Sequence, residues 1–295
     1  MKAVLLTGAT GQLGREISQL DWGPDLQLFT PGRGELDLLS EPSVATAFDR
    51  PDLVAVINTA AYTGVDQAEV EVDAAYAVNA RGAALLAAAS GRRGLPLIQL
   101  STDYVFSGDK SQPYLEDDRP SPINVYGASK LEGEIAVRSG NPRSVVLRTA
   151  WLFSAYRQNF VKTMLRLANE RSEVSVVSDQ VGCPTAAADV AAVVQAILLS
   201  HLNDPKAPVG VYHFVNEGQA SWCELATAVL ANSGCVVKPI PGSAYPTRAR
   251  RPGDSRLSTA KITRDFGIQP RPWRQALGEV TDSLRNLERR VGKQA

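Results

Sequence analysis

Two histidines and three cysteines are few for a chain of 295 residues, and their placement excludes whole classes of chemistry. Cys183, Cys223 and Cys235 lie far apart, are odd in number and lack metal-ligand spacing, so they read as free thiols of a reducing compartment. His201 and His213 are too isolated for a zinc site or a Ser-His-Asp centre. His213 falls in the apolar run Val211 to Val215 and reads as a satisfied core residue. Charge of either sign is not in excess: 31 Lys and Arg stand against 31 Asp and Glu. That argues against nucleic acid as a main partner. No apolar run approaches the ~18 residues of a membrane helix. Met1-Lys2-Ala3-Val4-Leu5-Leu6 runs straight into glycines, without the apolar core and cleavage site of a secretory signal. The expected setting is therefore the cytoplasm.

What is present is alternation. The length suits one large domain or two closely joined ones. Apolar runs at Lys2 to Thr7, Leu26 to Thr30, Leu53 to Asn58, Pro96 to Ser101 and Ser144 to Arg148 fit strands buried on both faces. Between them Gln12 to Leu20, Ser43 to Asp49, Asp73 to Ser90 and Tyr126 to Ser139 are helical in composition. The fold class expected is α/β: a Rossmann-type doubly wound parallel sheet over 1–150, with a smaller C-terminal α/β domain over 151–295. In that second part Asn159 to Asn169 and Ala186 to Ser200 read as helices, Val174 to Val177 and Val211 to Val215 as strands. Some of these segments are expected to return to the first sheet. Pro239 to Pro252 reads as a loop. The last helix, Trp273 to Arg290, is expected to end in a frayed charged tail.

Gly8-Ala9-Thr10-Gly11-Gln12-Leu13-Gly14 follows the first strand and opens the first helix, the context a dinucleotide turn requires. Glycines let the backbone approach a pyrophosphate, and the helix N-terminus supplies N–H donors and positive dipole. Gly8, Thr10, Gly11, Gln12, Leu13 and Gly14 are the cofactor-binding candidates there; a purely structural turn is the alternative. About 20 residues past such glycines, an NAD-selective site carries an acid. Here Thr30-Pro31-Gly32-Arg33 offers none. Arg33 suits a 2′-phosphate, which favours NADPH over NADH, or is a surface arginine in a turn. Asp37 and Leu38 are candidates beside the adenine. Ala60 and Ala61, after the third strand, permit close backbone approach, with Tyr62 next to them.

Tyr126 and Lys130, in Tyr126-Gly127-Ala128-Ser129-Lys130, share a helix face. An ammonium beside a phenol is expected to lower a pKa otherwise ~10. Thr102 follows the fourth strand. Glycine turn, hydroxyl residue, tyrosine and lysine in this order resemble the extended short-chain dehydrogenase/reductase superfamily. Longer segments narrow the resemblance: Asn58-Thr59-Ala60-Ala61-Tyr62-Thr63-Gly64-Val65-Asp66-Gln67-Ala68-Glu69, Ser101 to Phe106, Leu147 to Trp151, Asp179 to Thr185 and Arg251 to Leu257. Jointly they are similar to the dTDP-4-dehydrorhamnose reductase family.

That resemblance implies reduction of a sugar C4 ketone by NADPH or NADH. Tyr126 is the implied general acid, Lys130 its partner and a ribose contact, and Thr102 the group that holds the carbonyl oxygen. Asn79 fits the position that steadies the backbone near the cofactor, or is a plain helix residue. For a nucleotide-sugar substrate the candidates are Val65, Gln67, Thr102, Asp103, Tyr126, Trp151, Asn159 and Arg251. Arginine clamps diphosphate well, although Arg248 to Arg251 also reads as a solvated basic loop. Trp151 is a sugar-stacking or a core residue. Asp103 is followed by Tyr104 rather than by glutamate, which argues against a dehydratase. Some relatives pair through magnesium held by acids. Glu16 fits, but Thr185-Ala186-Ala187-Ala188-Asp189 lacks the second glutamate, so no metal is expected and a homodimer stays open. Other readings are a reductase or epimerase of another nucleotide sugar, or a non-catalytic subunit like the regulatory one of methionine adenosyltransferase.

Overall fold

Apolar strands that need no polar alternation stack into one parallel sheet. In the computed structural model, which describes the backbone of residues 1–291 and the side chains of residues 1–285, they are β1 (Lys2–Thr7), β2 (Leu26–Phe29), β3 (Leu53–Asn58), β4 (Leu97–Thr102) and β5 (Ser144–Thr149). A sixth strand, Gly210–His213, comes from the second half and pairs in parallel with β5. Across the sheet the order is Gly210–His213, β5, β4, β3, β1, β2. The winding reverses between β1 and β3, so the ligand crevice of such a sheet opens at their carboxyl ends. The charged tail expected to follow the last helix, Trp273–Val291, lies outside the described residues.

Strand alternation sorts the core. Val4 and Leu6 of β1 pack with Leu13 and Ile17 of the first helix (Gln12–Ser18) and with Val190, Val194 and Ile197 of the helix Ala187–Asn203. Ala3 and Leu5 face the other way, towards Leu86, Ala87 and Val137. Leu5 and Leu6 are fully buried; truncating either to alanine costs about 2–5 kcal/mol.

The stretch read as one helix over Asp73 to Ser90 is Val72–Tyr76 and Ala83–Arg92 joined by a wider π turn, Ala77–Gly82. It packs on the helix Val125–Gly140 at backbone contact distance. A Cβ on Gly133 would lie 2.1 Å from the Asn79 carbonyl oxygen, and one on Gly91 2.3 Å from that of Gly140.

The second half has its own apolar cluster, including Phe153, Val161, Leu225, Trp273 and Leu277. The loop expected from Pro239 starts later: Val236–Ile240 is a strand paired in parallel with Glu173–Val177. A two-stranded ribbon has only edges, where proline is tolerated. Trp222–Val229 is a helix that composition did not suggest. Among the described residues no helix is long and apolar enough to cross a membrane.

Candidate active site

The glycine turn is built for close approach. Gly8 has φ +74°, and a Cβ there would sit 2.6 Å from the Ala60 nitrogen; one on Gly14 would sit 2.2 Å from the Gly8 oxygen. Gly11 donates to the Gly8 carbonyl at 2.9 Å and caps the helix without a side-chain bond, leaving the helix N–H groups to face the crevice. Thr10 is exposed beside them. Leu13 turns into the core, while the Gln12 side-chain Oε1 accepts from Asn159 Nδ2 at 3.0 Å. Asn159 therefore caps its own helix, Phe160–Glu170, and ties the second half to the glycine turn.

Past β2, Arg33 is the exposed tip of a turn closed by Glu35, whose carboxylate accepts from the Gly32 N–H at 2.8 Å. Asp37 is exposed and accepts from the Leu39 N–H; Leu38 is half-buried beside Gly82. After β3 the Ala60 N–H is bonded to Asn58 Oδ1, Ala61 is half-buried, and the Tyr62 hydroxyl donates to Glu71 at 2.7 Å. These residues fit a dinucleotide: a cradle without side chains, a bare helix N-terminus and an exposed arginine past β2.

The helix Val125–Gly140 presents the tyrosine and lysine. Asn124 caps it through the Gly127 N–H at 2.8 Å, and Glu69 accepts from the Val125 N–H at 2.8 Å. Gly127 has no room for a side chain: a Cβ would stand 2.0 Å from the Tyr104 oxygen. Tyr104 meets Tyr126 edge-on at 5.8 Å between ring centroids.

The expected lowering of the Tyr126 pKa is not found. Burial pushes the phenol up to about 12, and the Thr102 hydroxyl, close by but short of hydrogen-bond geometry, holds it down only in part. Lys130 is engaged with the backbone of β4. Its ammonium is buried and donates to the Leu100 carbonyl at 2.6 Å, and burial pulls it down to about 8. Desolvation thus outweighs the helix-face pairing read from spacing.

Thr102 donates to Asp103 Oδ1 at 3.0 Å and accepts from the Tyr104 N–H. Asp103 is 2% exposed, and its Oδ2 lacks a hydrogen-bond partner even though Ser255 is near. Burial pushes its carboxyl up to about 6.

Asn79 sits in the π turn, a shape that recurs at functional sites. It accepts from the Tyr62 N–H at 2.8 Å and donates to the Tyr62 carbonyl and to Ser129 Oγ, which adjoins Lys130. It is 2% exposed, so it braces the crevice instead of lining it.

On the far side, Val65 is half-buried, and Gln67 is exposed and bonded to Glu71. Arg251 is held by Asp66, a partner 185 residues away that no local pattern marks. Trp151 adopts φ +45° and stacks on Trp222 at 3.5 Å, with Gly182 leaving room for the indole. Trp151 thus has one face on another aromatic. A signal for its neighbour existed: Ser221 and Glu224 form a capping box. Elsewhere Asp189, beside Glu16, is taken up by Arg271 at 2.9 Å.

A family model described as RmlD substrate binding domain matches residues 1–286. The chain belongs to this family. It is 44% identical over 288 residues to dTDP-4-dehydrorhamnose reductase of Sinorhizobium fredii, covering 95% of this chain and 96% of the relative. The enzyme of that name from Aggregatibacter actinomycetemcomitans is 42% identical over 290 residues, with 95% and 98% covered. Among solved structures, the dTDP-4-dehydrorhamnose reductase of Bacillus anthracis in complex with NADP superposes with a TM-score of 0.89 at 36% identity, covering 96% of this chain and all of that one. A UDP-glucose 4-epimerase of Thermus thermophilus, at 21% identity and a TM-score of 0.78, shares the fold. The α/β fold class and the family read from the motifs agree with these findings.

Proposed function

We propose that this chain reduces the C4 ketone of dTDP-4-dehydro-L-rhamnose to give dTDP-L-rhamnose, with NADPH preferred to NADH. The observation that carries the mechanism is the convergence of Tyr126, Thr102 and Lys130 at the carboxyl end of β4, two strands along the sheet from the β1 that leads into the glycine turn. Family membership supports the substrate.

The turn of Gly8, Gly11 and Gly14 would hold NADPH, with Arg33 for its 2′-phosphate, and the bound cofactor would supply the hydride. Tyr126 donates its phenolic proton to the carbonyl oxygen. A general acid for reduction must begin each turnover protonated, and burial keeps this phenol neutral. Thr102, turning its one hydroxyl proton from Asp103 to the substrate, holds the carbonyl oxygen near the Tyr126 proton. Lys130 adds positive charge as electron density moves onto the tyrosine oxygen. General acid catalysis contributes roughly 10²–10⁴ in rate, and positioning much of the rest.

The first 150 residues are assigned to the cofactor and residues 151–295 mainly to the sugar nucleotide. Arg251 faces the diphosphate, with Trp151, Val65 and Gln67 around the sugar. A cytoplasmic setting goes with this reading. The test is oxidation of NADPH and of NADH with dTDP-4-dehydro-L-rhamnose and with other 4-ketosugar nucleotides, followed by stereochemical analysis of the product. Reduction confined to a different ketosugar sinks the substrate assignment. No turnover with any of them, together with stoichiometric capture of a protein partner, sinks the enzymatic reading.

A further inference from the structure

One helical turn beyond Lys130 stands a second buried charge. Glu134 is 2% exposed and accepts three hydrogen bonds: from Arg148 Nε at 2.9 Å, from Arg148 Nη2 at 2.6 Å, and from Ser101 Oγ. Ser101 immediately precedes Thr102, and Arg148 lies on β5. A single carboxylate therefore fastens together the catalytic helix, β4 and β5.

Lys130 needs such a neighbour. Its ammonium is 4% exposed, and among the described residues its hydrogen-bond partner is one carbonyl, that of Leu100. An ammonium so placed has lost its water and requires a counter-charge. Glu134 stands at i+4 on the same face, turned to Arg148 and Ser101 and outside ion-pair contact with the lysine, yet near enough for its charge to favour the ammonium. The other titratable groups of the packed elements are arranged differently. Arg148 and His213 lie behind Glu134, with Arg148 Nη1 at 3.4 Å from the His213 ring and His213 held neutral by burial. Glu116 bonds the His213 N–H on the far side. Asp103, Tyr104 and Tyr126 gather at the Thr102 end. Asn79 and Ser129 bring no charge from the π turn.

We propose that Glu134 is a positioning residue of this reaction: clamped by Arg148 and Ser101, it keeps Lys130 in register with Thr102 and Tyr126 and supplies the counter-charge of its ammonium. The proposal uses the reductase reading only in the role given to Lys130.

The test follows the lysine 13Cε resonance of Lys130 against pH in the full chain, assigned with Lys130→Arg. Glu134→Gln is expected to lower the Lys130 midpoint by about one unit or more, and the alkaline limb of kcat moves with it. Gln at 134 leaves Arg148 buried without a charge partner, so Glu134→Gln/Arg148→Met is measured alongside. It removes both charges and shifts the midpoint in the same direction by less. A folded variant, single or double, with the wild-type midpoint overturns the proposal. The resonance is read without substrate. A wild-type protein that turned over no ketosugar would therefore overturn the reductase reading and leave this result standing.

Discussion

The Asp66 carboxylate grips the Arg251 guanidinium at 2.6 Å across 185 residues of sequence. The same carboxylate accepts from the Ala249 N–H at 3.0 Å, and Asn124, the cap of the catalytic helix, donates to the Arg250 carbonyl at 2.8 Å. The arginine loop is thus held against both the short helix Val65–Ala68 and the helix that carries Tyr126. Arg251 is thus fixed in orientation, with both terminal nitrogens bonded to Asp66.

Arg251→Met is expected to raise KM for the nucleotide sugar ~10–100-fold with a much smaller change in kcat, because a charge-assisted contact is worth about 1.5–3 kcal/mol. Asp66→Asn should give a milder rise in the same constant, since it loosens the arginine without removing it. The hydrogen bond from Arg251 holds the Asp66 carboxyl below its ordinary range. The pair is therefore complete above pH ~4 and lost only as pH falls through that lowered value. Steady-state kinetics of both variants between pH 5 and 8 check this; a KM unchanged in Arg251→Met removes the diphosphate role.

Tyr126→Phe is expected to lower kcat at least ~100-fold while NADPH binding is kept. The ring still packs edge-on against Tyr104, so only the hydroxyl is lost. Single-turnover absorbance of the nicotinamide, with a fluorescence titration for binding, separates the two effects. Turnover at the wild-type rate excludes Tyr126 as the proton donor.

The strands were legible because burial on both faces leaves an apolar signature, and β1 and β3 run as read, Lys2 to Thr7 and Leu53 to Asn58. The glycine turn and the Tyr126–Lys130 spacing were legible because both are local. What the chain hid depends on partners remote in sequence. Asp66 finds Arg251, and Glu134 finds Arg148 and Ser101, only once helix and strands are packed. The π turn at Asn79 was hidden by an alanine-rich composition that suits any helix. The charge state of Tyr126 was misread for the same reason: spacing reports which side chains are neighbours, but not how far burial strips them of water.

Gly14→Ala is expected to abolish cofactor binding and destabilise the fold, since the added methyl would stand 2.2 Å from the Gly8 carbonyl oxygen and 2.6 Å from the Ala9 Cα. Both are backbone atoms, so no side chain can move aside. Gly278→Ala is the control. It lies exposed on the helix Trp273–Val291 with nothing within 4 Å of the new Cβ. It should raise stability by about 0.5–1 kcal/mol. Thermal melts and NADPH titrations of the pair decide the matter; a Gly14→Ala protein that binds NADPH normally rules out the tight cradle.

Arg33→Ala is expected to cost about tenfold in kcat/KM with NADPH and little with NADH, through loss of one charge-assisted contact at an exposed site. Arg33 is the exposed tip of its turn, which Glu35 closes through the Gly32 N–H rather than through the arginine. The backbone of the turn does not depend on the Arg33 side chain, so the fold should be unaffected. Equal losses with both cofactors would assign Arg33 a structural part instead.

Asp103→Asn tests the buried carboxyl beside Thr102. Burial raises its pKa from the ordinary 3.8 to about 6, so between those values the folded chain keeps a proton that the unfolded chain has released. The stabilisation is fully present below pH ~4 and is lost as pH rises through about 6. A shift of this size amounts to about 3 kcal/mol. Asparagine keeps an oxygen to accept from Thr102 and never ionises. The variant should therefore match wild type near pH 4 and melt progressively higher than it from pH 4 to 6.5, with a constant gap above. His213, pushed down to about 3 by burial, gives stability the opposite slope below pH ~6.5. It is present in both proteins and cancels in the difference. Melting temperatures at half-unit steps from pH 4 to 8 give the curve; a gap that does not change with pH would mean that Asp103 is not buried as a titrating acid, and its hold on Thr102 would then have to be that of a permanent carboxylate.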